Sequence, residues 1–484
     1  MAGLLVAGTS SDAGKTVVTT GLCRAFARRG VRVAPFKAQN MSNNSMVCRD
    51  GAEIGRAQYL QALAARVEPS ALHNPVLLKP ASDRTAFVVV DGRPWGRLRA
   101  GEYATGRGEL AAASFAAYER LAASCELVLV EGAGSPAEVN LRENDFVNLG
   151  LARRFGLPTI LVGDIDRGGL LAALFGTWGL LDPDDRALLA GYVVNKFRGD
   201  LDVLRPGLDT VTERTGMPCL GVLPWVEEVW LDSEDTLVVG RLGPQETAGD
   251  ALTVAVVRLP RISNATDVDA LAAEPGVDVR VTTDPEVCRA AHLLVLPGSR
   301  ATLADLAWLR ERGLAQVVLD RARLGRPVLG ICGGYQMLAR TIEDGVESDV
   351  EAPRPGLGLL DVAIRFRHEK VLGRPQGRWR EHAVEGYEIH HGIADDDGAF
   401  PGGTVAGSVW GTMWHGTLEG DGFRRAWLTE VAQRAGARWR PHPGAVGFAT
   451  RRERMVELLA DLVEEHLDFD RIAELGRTAY PPTP

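Results

Sequence analysis

A glycine-rich loop near the N-terminus is the first stretch whose residues could do chemistry. Residues 8–16 read GTSSDAGKT, and they separate the apolar segment Leu4 to Ala7 from a segment with helical spacing that begins at Val17. Such a loop directs backbone N–H groups and the positive end of a helix dipole at an anion. The lysine can reach terminal phosphates, and the threonine hydroxyl can bind Mg²⁺. We therefore predict that a nucleoside triphosphate contacts Ser11, Asp12, Ala13, Gly14, Lys15 and Thr16.

The loop departs from the standard phosphate-binding pattern by one residue. Five residues, rather than four, separate Gly8 from Gly14, so the pattern is met only with one insertion. The alternative is a glycine-rich turn that carries a surface lysine. The strand and the helix predicted on either side favour the phosphate loop.

A cysteine between glycines is the second candidate. Gly330, Cys332 and Gly334 have the spacing of a nucleophile elbow, G-x-nucleophile-x-G, and they follow a short apolar segment. Such a turn exposes the nucleophile, and its glycines remove Cβ clashes that would otherwise forbid it. We predict that Cys332 is a nucleophile and that the N–H groups of Gly298 and Gly333 stabilise the resulting oxyanion. A buried structural cysteine is the alternative.

A thiolate nucleophile needs a base, and three histidines compete for that role. His415 follows the strand-like segment Ser408 to Trp414 and directly precedes Gly416, where a loop opens. His390 and His391 could also serve, or could contact the substrate or fill a polar core site. The position at a strand end favours His415.

Several polar residues follow predicted strands in the first half. Glu131 ends the apolar segment Leu127 to Val130, where a carboxylate is costly to bury without a cation. Its position suits a second Mg²⁺ ligand beside Thr16, and a Glu on a solvated loop is the alternative. Three residues could activate a substrate carboxylate: Lys37, Asp145 and Asp164. The alternative for Lys37 is a polar turn, and the alternative for Asp145 is a helix cap.

These residues are expected to lie at the carboxyl ends of parallel strands. Strand-length apolar segments alternate with helical patterns, which favours right-handed crossovers and a ligand crevice at the strand ends. After a polar, glycine-rich linker at 240–250 the pattern restarts. We predict an α/β fold of two doubly wound domains, 1–240 and 251–450, each a mostly parallel sheet flanked by helices. Residues 451–484 form a predicted helical extension packed on the body.

Composition excludes several classes of protein. The 484 residues are 45% hydrophobic and 24% charged, without an apolar run near the roughly 18 residues that a membrane span needs. A net charge of −9 disfavours a nucleic-acid surface. Six cysteines without CxxC pairs argue against zinc and against a disulfide framework, and the N-terminus lacks the basic region of a signal peptide. We expect a cytoplasmic enzyme that needs neither membrane nor nucleic acid.

Both halves of the chain resemble known families. The C-terminal half resembles the class I glutamine amidotransferases, and the N-terminal half resembles the dethiobiotin synthetase-like ATPases, which share the longer G-x5-G-K-T loop. In this order, the two resemble the cobyric acid synthase family of cobalamin biosynthesis. Four segments separate that family from the sister a,c-diamide synthases: PFKAQNMSNNS at 35–45, DIDRGG at 164–169, VNKFRGD at 194–200 and GYEIHHG at 386–392.

The resemblance implies a reaction and assigns roles. It implies amidation of the b, d, e and g side-chain carboxylates of adenosylcobyrinic acid a,c-diamide, which uses ATP, Mg²⁺ and L-glutamine and passes through acyl phosphates. Cys332 would be the glutaminase nucleophile and His415 its base. Glu131 would bind the metal ion, and Asn195 and Lys196 would lie near the adenine.

One position departs from the general class I pattern. Those glutaminases carry a Glu two residues after the His, where this chain has Thr417. The cobyric acid synthases resemble this chain in lacking that Glu. The group that orients His415 is therefore not identified, and Glu419 is a poor candidate.

Two other functions stay open at this stage. One is the a,c-diamide synthase reaction, or another ATP-dependent amidation on the same scaffold. The other is a partitioning-type ATPase that switches by nucleotide-driven dimerisation. Loops of that class often carry an extra lysine where this chain has Ser10 and Ser11, and the elbow at Cys332 would have no role there.

Overall fold

A six-stranded parallel sheet organises the first half of the chain in the computed structural model, which describes residues 2–82, 84–99, 103–230, 251–348 and 350–478. The strands of this half are β1 (Gly3–Gly8), β2 (Val33–Phe36), β3 (Gln39–Met41), β4 (Ser45–Val47), β5 (Glu53–Gly55), β6 (Val76–Ser82), β7 (Thr85–Val90), β8 (Arg93–Arg99), β9 (Leu127–Glu131), β10 (Thr159–Asp164), β11 (Leu189–Phe197) and β12 (Cys219–Pro224). The main sheet has the order β12-β11-β10-β1-β9-β2, so the strand that leads into the glycine-rich loop lies inside it.

Helices connect these parallel strands. They are α1 (Lys15–Arg28), α2 (Arg56–Ala64), α3 (Tyr103–Ser124), α4 (Leu149–Phe155), α5 (Leu170–Leu180), α6 (Pro183–Arg186) and α7 (Leu201–Thr215). A smaller sheet, β3-β6-β7-β8, is inserted between β2 and α3, and Asp91 and Gly92 form its β7–β8 turn. β1 and β9 are buried along their whole length, which explains their unbroken apolar sequence.

The second half repeats this architecture. Its strands are β13 (Leu252–Val257), β14 (Ile262–Ser263), β15 (Val277–Thr282), β16 (Leu293–Leu296), β17 (Gly298–Ser299), β18 (Val328–Ile331), β19 (Thr341–Asp344), β20 (Val350–Pro355), β21 (Ala363–Gly373), β22 (Gln376–Trp379), β23 (His382–Glu385), β24 (Glu388–Ala394), β25 (Gly403–Ala406) and β26 (Val409–Thr412). The main sheet runs β15-β13-β16-β18-β26-β25, parallel except at its β25 edge, and β20-β19-β21-β24 form a second sheet. The predicted fold class is confirmed.

Helices also flank the strands of this half within the described residues. They are α8 (Asp269–Ala272), α9 (Pro285–Ala290), α10 (Thr302–Glu311), α11 (Leu314–Arg323) and α12 (Gly333–Leu338). A further helix, α13 (Asp421–Ala435), follows β26, and the predicted linker at 240–250 lies outside the described residues. None of the helices in the described ranges combines the length and the hydropathy that a bilayer span requires.

The C-terminal segment packs mainly on the first half, and its Arg452 also contacts Glu419 of the second. It forms two helices, α14 (Phe448–His466) and α15 (Phe469–Arg477), within the segment predicted as a helical extension. The break has a local cause, because the side chain of Asp468 accepts a hydrogen bond from the N–H of Arg471 and caps α15. α14 lies so close to α1 that a Cβ at Gly21 would come 2.6 Å from the Leu459 carbonyl oxygen.

Candidate active site

The glycine-rich loop connects the end of β1 to the start of α1. Gly14 has φ of +100°, and a Cβ there would lie 1.9 Å from Nδ2 of Asn195, so this position requires glycine. The Lys15 ammonium donates to the carbonyl oxygens of Ser10 (2.9 Å) and Gly134 (3.1 Å). No described side chain caps α1, and its first turn of N–H groups is suited to an anion.

Glu131 lies beside this loop, at the end of β9. Its Oε1 accepts hydrogen bonds from the Thr16 hydroxyl (3.0 Å) and the Lys37 ammonium (2.8 Å), and its Oε2 accepts one from Gln61 (2.5 Å). Burial opposes ionisation of Glu131, but the charge of Lys37 and the Gln61 hydrogen bond lower the pKa of the carboxyl group. The structure therefore brings Lys15, Thr16 and Lys37 together around the buried carboxylate of Glu131.

Two residues at the end of β11 brace the loop from its other side. Asn195 donates to the Ala13 carbonyl oxygen (3.0 Å), and the Lys196 ammonium donates to the Asp12 carbonyl oxygen (2.8 Å) and to Asp164 (2.6 Å). Asn195 and Lys196 also border a cavity of about 690 Å³. Its wall includes Trp225 from the segment after β12 and Leu459 from α14. The C-terminal extension thus contributes to the surroundings of the loop, which its sequence does not reveal.

Asp145 has the contacts of a helix cap. One of its carboxylate oxygens accepts from the N–H groups of Val147 (2.8 Å) and Asn148 (2.9 Å), and the other accepts from Gly150 (2.8 Å), at the start of α4. The capping alternative describes these contacts fully. They offer no support for a role in activating a substrate carboxylate.

Cys332 occupies a strained turn between β18 and α12. Its φ of 48° and ψ of −108° are unusual for a residue with a side chain. A Cβ at Gly334 would lie 1.9 Å from the Leu296 carbonyl oxygen, and one at Gly330 would lie 2.7 Å from the Tyr335 nitrogen. The two glycines therefore permit the turn, as the elbow pattern requires.

The cavity beside Cys332 is polar rather than apolar. Although Cys332 is only 6% exposed, it borders this cavity, whose polar and charged lining residues are Lys79, Ser263, Asn264, Ser299, Arg300, Gln336, Glu347, Lys370, His390 and His391. Arg300 and Glu347 form an ion pair there. The two ring nitrogens of His390 have no hydrogen-bond partner among the described residues. This lining does not fit a cysteine that merely fills an apolar core.

His415 is held by a carboxylate that the sequence pattern does not reveal. Its Nδ1 lies 2.7 Å from Oδ2 of Asp267, a residue 148 positions earlier in the chain. The other oxygen of Asp267 accepts from the Gly416 N–H (2.8 Å). Burial lowers the pKa of His415, but Asp267 and then Cys332 outweigh it and raise that pKa to about 10. Asp267 and Cys332 therefore favour the protonated imidazole, which lies close to the thiol.

The two glycines of the predicted oxyanion hole border this group. A Cβ at Gly298 would lie 3.1 Å from Cε1 of His415, and one at Gly333 would lie 2.6 Å from the Ser299 nitrogen. Gly333 is the first residue of α12, where a backbone N–H has no acceptor within its own helix. Both glycines thus lie at the thiol and imidazole, in positions that a side chain would obstruct.

Comparison with known proteins identifies both halves. A family model described as the CobQ/CobB/MinD/ParA nucleotide binding domain matches residues 4–238, and one for the CobB/CobQ-like glutamine amidotransferase domain matches residues 253–423. The chain is 62% identical to the cobyric acid synthase of Cutibacterium acnes, over 99% of this chain and 100% of that protein. The chain belongs to the cobyric acid synthase family. Its members are similar over the full length of this chain, so the resemblance of its separate motifs is confirmed.

Other members of the cobyric acid synthase family match equally broadly. The protein of that name from Mycolicibacterium gilvum is 57% identical, over 99% of this chain and 97% of its own length. Among solved structures, a glutamine amidotransferase matches with 20% identity over 38% of this chain and 99% of its own. Its TM-score of 0.31 is too low to bear on function. Family membership makes the chain a ligase that uses glutamine as its amido donor, as predicted.

Asp267 explains the departure at Thr417. In this member of the cobyric acid synthase family, the residue two positions after His415 is Thr417, which cannot supply a carboxylate. Asp267 approaches the imidazole from a 3-10 turn, Ala265–Val268, that precedes α8. Glu419, in the turn after His415, instead contacts Arg56 (2.6 Å) and Arg452 (2.8 Å), which agrees with its rejection from the sequence.

Proposed function

We propose that the chain amidates the b, d, e and g side-chain carboxylates of adenosylcobyrinic acid a,c-diamide and so produces adenosylcobyric acid. The observation that carries this proposal is that one chain of the cobyric acid synthase family holds both a buried phosphate-loop cluster at Glu131 and a Cys332–His415–Asp267 group. We retain the division into a synthetase domain, 1–240, a glutaminase domain, 251–450, and an extension, 451–484.

ATP and Mg²⁺ fit the first of these sites. The close approach of Asn195 to Gly14 leaves room for backbone only, and the hydroxyl of Thr16 beside the carboxylate of Glu131 is an oxygen donor set that Mg²⁺ prefers. The loop 11–16 would hold the phosphates, and Asn195 and Lys196, with the adjoining cavity, would take the base and ribose. Bound there, Mg²⁺ would supply positive charge to the triphosphate.

A carboxylate must be activated before ammonia can attack it, because its negative charge repels the nucleophile and its oxygen is a poor leaving group. Transfer of the γ-phosphoryl group to a corrinoid carboxylate gives an acyl phosphate, which removes both obstacles. Lys15 is placed to stabilise charge on the transferred group. Lys37 and Asp164 would position the incoming carboxylate and the loop, a role supported by their contacts with Glu131 and Lys196.

Glutamine supplies the ammonia at the second site. The thiolate of Cys332 attacks the side-chain amide carbon, and the imidazolium of His415 donates its proton to the departing nitrogen. Water then hydrolyses the thioester, with His415 as the base, and glutamate leaves. Asp267 keeps the imidazole oriented and stabilises its charge, and the N–H groups of Gly298 and Gly333 would bind the oxyanion.

Two charged side chains beside the thiol have the signs that an α-amino acid requires. Glutamine carries an α-carboxylate and an α-ammonium group, and the Arg300 and Glu347 side chains offer one charge of each sign. Each is only 8% exposed, so both charges act where water screens them little. We propose that Arg300 binds the α-carboxylate and Glu347 the α-ammonium group.

Mass spectrometry of the corrinoid tests the proposal most directly. The purified chain is incubated with ATP, glutamine and either cobyrinic acid or its a,c-diamide in the adenosylated form. We expect the a,c-diamide to gain amides in single steps up to four. Amidation of cobyrinic acid to its a,c-diamide alone would favour the sister reaction, and ATP hydrolysis that depends on DNA and not on a corrinoid would favour the partitioning ATPases.

The proposal also covers where the chain acts. All six cysteines are unpaired, which suits a reducing cytoplasm. The partners that the proposal requires are small molecules, namely the corrinoid, ATP and glutamine, and a net charge of −9 disfavours nucleic acid.

A further inference from the structure

One short helix contacts both candidate sites. α2 has nine residues and lies in the first half of the chain. At the start of α2, the Arg56 guanidinium donates to Oε1 of Glu419 in the second half (2.6 Å). Further along the same helix, the side chain of Gln61 donates to Oε2 of Glu131 (2.5 Å). These two residues are separated by about 7.5 Å along a helix axis. Both are buried, so each hydrogen bond lies within the protein.

The contact at Arg56 reaches the glutaminase base through two neighbours. Glu419 belongs to the turn Thr417–Glu419 that follows His415 and Gly416, and burial of its carboxylate is outweighed by Arg452 and Arg56, which lower its pKa to about 2. The Arg56 guanidinium also lies 5.9 Å from the centre of the Tyr387 ring. That ring stacks on the His415 imidazole at 5.3 Å.

The polar segment after β2 makes a second connection between the sites. It starts at Lys37, which contacts Glu131, and it ends against the turn that carries Asp267. There, the side chain of Asn44 accepts a hydrogen bond from the Ala265 N–H (3.1 Å), and the Ser45 N–H donates to the side chain of Asn264 (2.9 Å). The synthetase half thus supports both the imidazole and the carboxylate that orients it.

We propose that Arg56 is a positioning residue for His415, and that Gln61, on the same helix, makes this positioning depend on the occupant of the Glu131 site. This inference rests on the proposed function. A ligand that engages Glu131 changes its hydrogen bonds with Gln61 and Lys37, and the rigid α2 carries the change to Glu419 and Tyr387. Because coupling is reciprocal, binding of the nucleotide favours the aligned imidazole and an occupied glutaminase site favours nucleotide binding.

The consequence is that glutamine hydrolysis waits for the acceptor. Ammonia released before an acyl phosphate exists would be protonated and lost. A glutaminase whose base is aligned only when the synthetase site is filled avoids that loss. We therefore expect ATP with the corrinoid to raise the rate of glutamate release by about tenfold or more, which corresponds to a coupling free energy within the usual 1–3 kcal/mol.

The test is Arg56→Met in the full chain, assayed for glutamate release with and without ATP and corrinoid, and for amidation from ammonia. We expect the rate of amidation from ammonia to stay within about twofold of the parent. The stimulation factor, which is the rate of glutamate release with ATP and corrinoid divided by the rate without them, should fall close to one. Arg452→Met is the matched control, since it removes another charged partner of Glu419 and leaves every residue of α2 unchanged. It should keep the stimulation factor, and Arg56→Lys should restore part of it.

The outcomes separate this inference from the proposed function. A parent chain whose glutamate release ignores ATP and corrinoid, or an Arg56→Met chain with unchanged stimulation, overturns the coupling and leaves the amidation intact. Failure of the parent to amidate the corrinoid from ammonia overturns the proposed function instead. If Arg56→Met does not fold, as judged by circular dichroism, the Arg56→Lys chain decides, and equal loss with glutamine and with ammonia then shows a merely structural role.

Discussion

Asp267 and His415 lie 2.7 Å apart, although 148 residues separate them in the chain. Asp267 thus supplies the carboxylate that Thr417, the residue after Gly416, cannot supply. If Asp267 orients and stabilises the imidazolium, Asp267→Asn should keep the fold and lower the rate of glutamine hydrolysis by about 10²- to 10⁴-fold. Glutamate release measures the loss, and amidation from ammonia is the internal control. Undiminished hydrolysis would remove Asp267 from the reaction.

The pH dependence of glutamine hydrolysis reports the same contact. Because the pKa of His415 is raised from 6.5 to about 10, its imidazolium persists through neutral pH, and activity should decline only as the pH approaches 10. The stability that this ion pair contributes is fully present below about pH 6.5 and is lost as the pH rises through 10.

Asp267→Asn removes the largest favourable cause of that shift. The alkaline limb of kcat/KM for glutamine should then move to lower pH. An unchanged alkaline limb in this variant would show that another group sets it.

Gly14→Ala tests the phosphate loop without altering a charge. The new Cβ would collide with the side chain of Asn195, at a φ of +100° that residues with side chains rarely adopt. ATP binding should weaken by about 5- to 150-fold, since strain of about 1–3 kcal/mol falls on the loop. Calorimetric titration with ATP measures it.

Gly30→Ala is the matched control for the loop. Gly30 also has a positive φ, of +78°, but a Cβ there has nothing within 4 Å. This variant should lose stability without losing ATP affinity. Equal loss of ATP affinity in both variants would indicate that the whole of α1 is disturbed, rather than the loop.

Arg300→Met tests recognition of glutamine. Loss of a charge-assisted contact with the α-carboxylate should raise KM for glutamine by about tenfold or more and change kcat less. Steady-state kinetics of glutamate release provide both constants. Amidation from ammonia should not change, and a fall in kcat at constant KM would place Arg300 in another role.

Much of the fold was predictable because parallel strands buried on both faces leave continuous apolar segments. The apolar segments 252–257 and 293–296 predict two strands, which coincide with the observed β13 and β16. The observed β1 and β9 differ from the predicted segments Leu4 to Ala7 and Leu127 to Val130 only at their ends. The glycines of the two loops were also informative, since Gly14 and Gly334 occupy positions where a Cβ would collide with its surroundings.

The remaining features depend on contacts between distant segments. Asp267 has no motif of its own, because a carboxylate in a 3-10 turn acquires its role only when the fold brings His415 to it. The helical pattern of α2 likewise gives no indication of the contacts that Arg56 and Gln61 make. Asp468 is a local signal for the start of α15, but the apolar periodicity continues across it and does not reveal the break between α14 and α15.

The division of labour between the two halves is the central claim, and amidation of the corrinoid by Cys332→Ala tests it most directly. With ATP and a high concentration of ammonia, this variant should add amides to the a,c-diamide at close to the parental rate. With ATP and glutamine it should add none. Amidation from glutamine by the variant, or its failure with both nitrogen sources while it remains folded, would contradict the account.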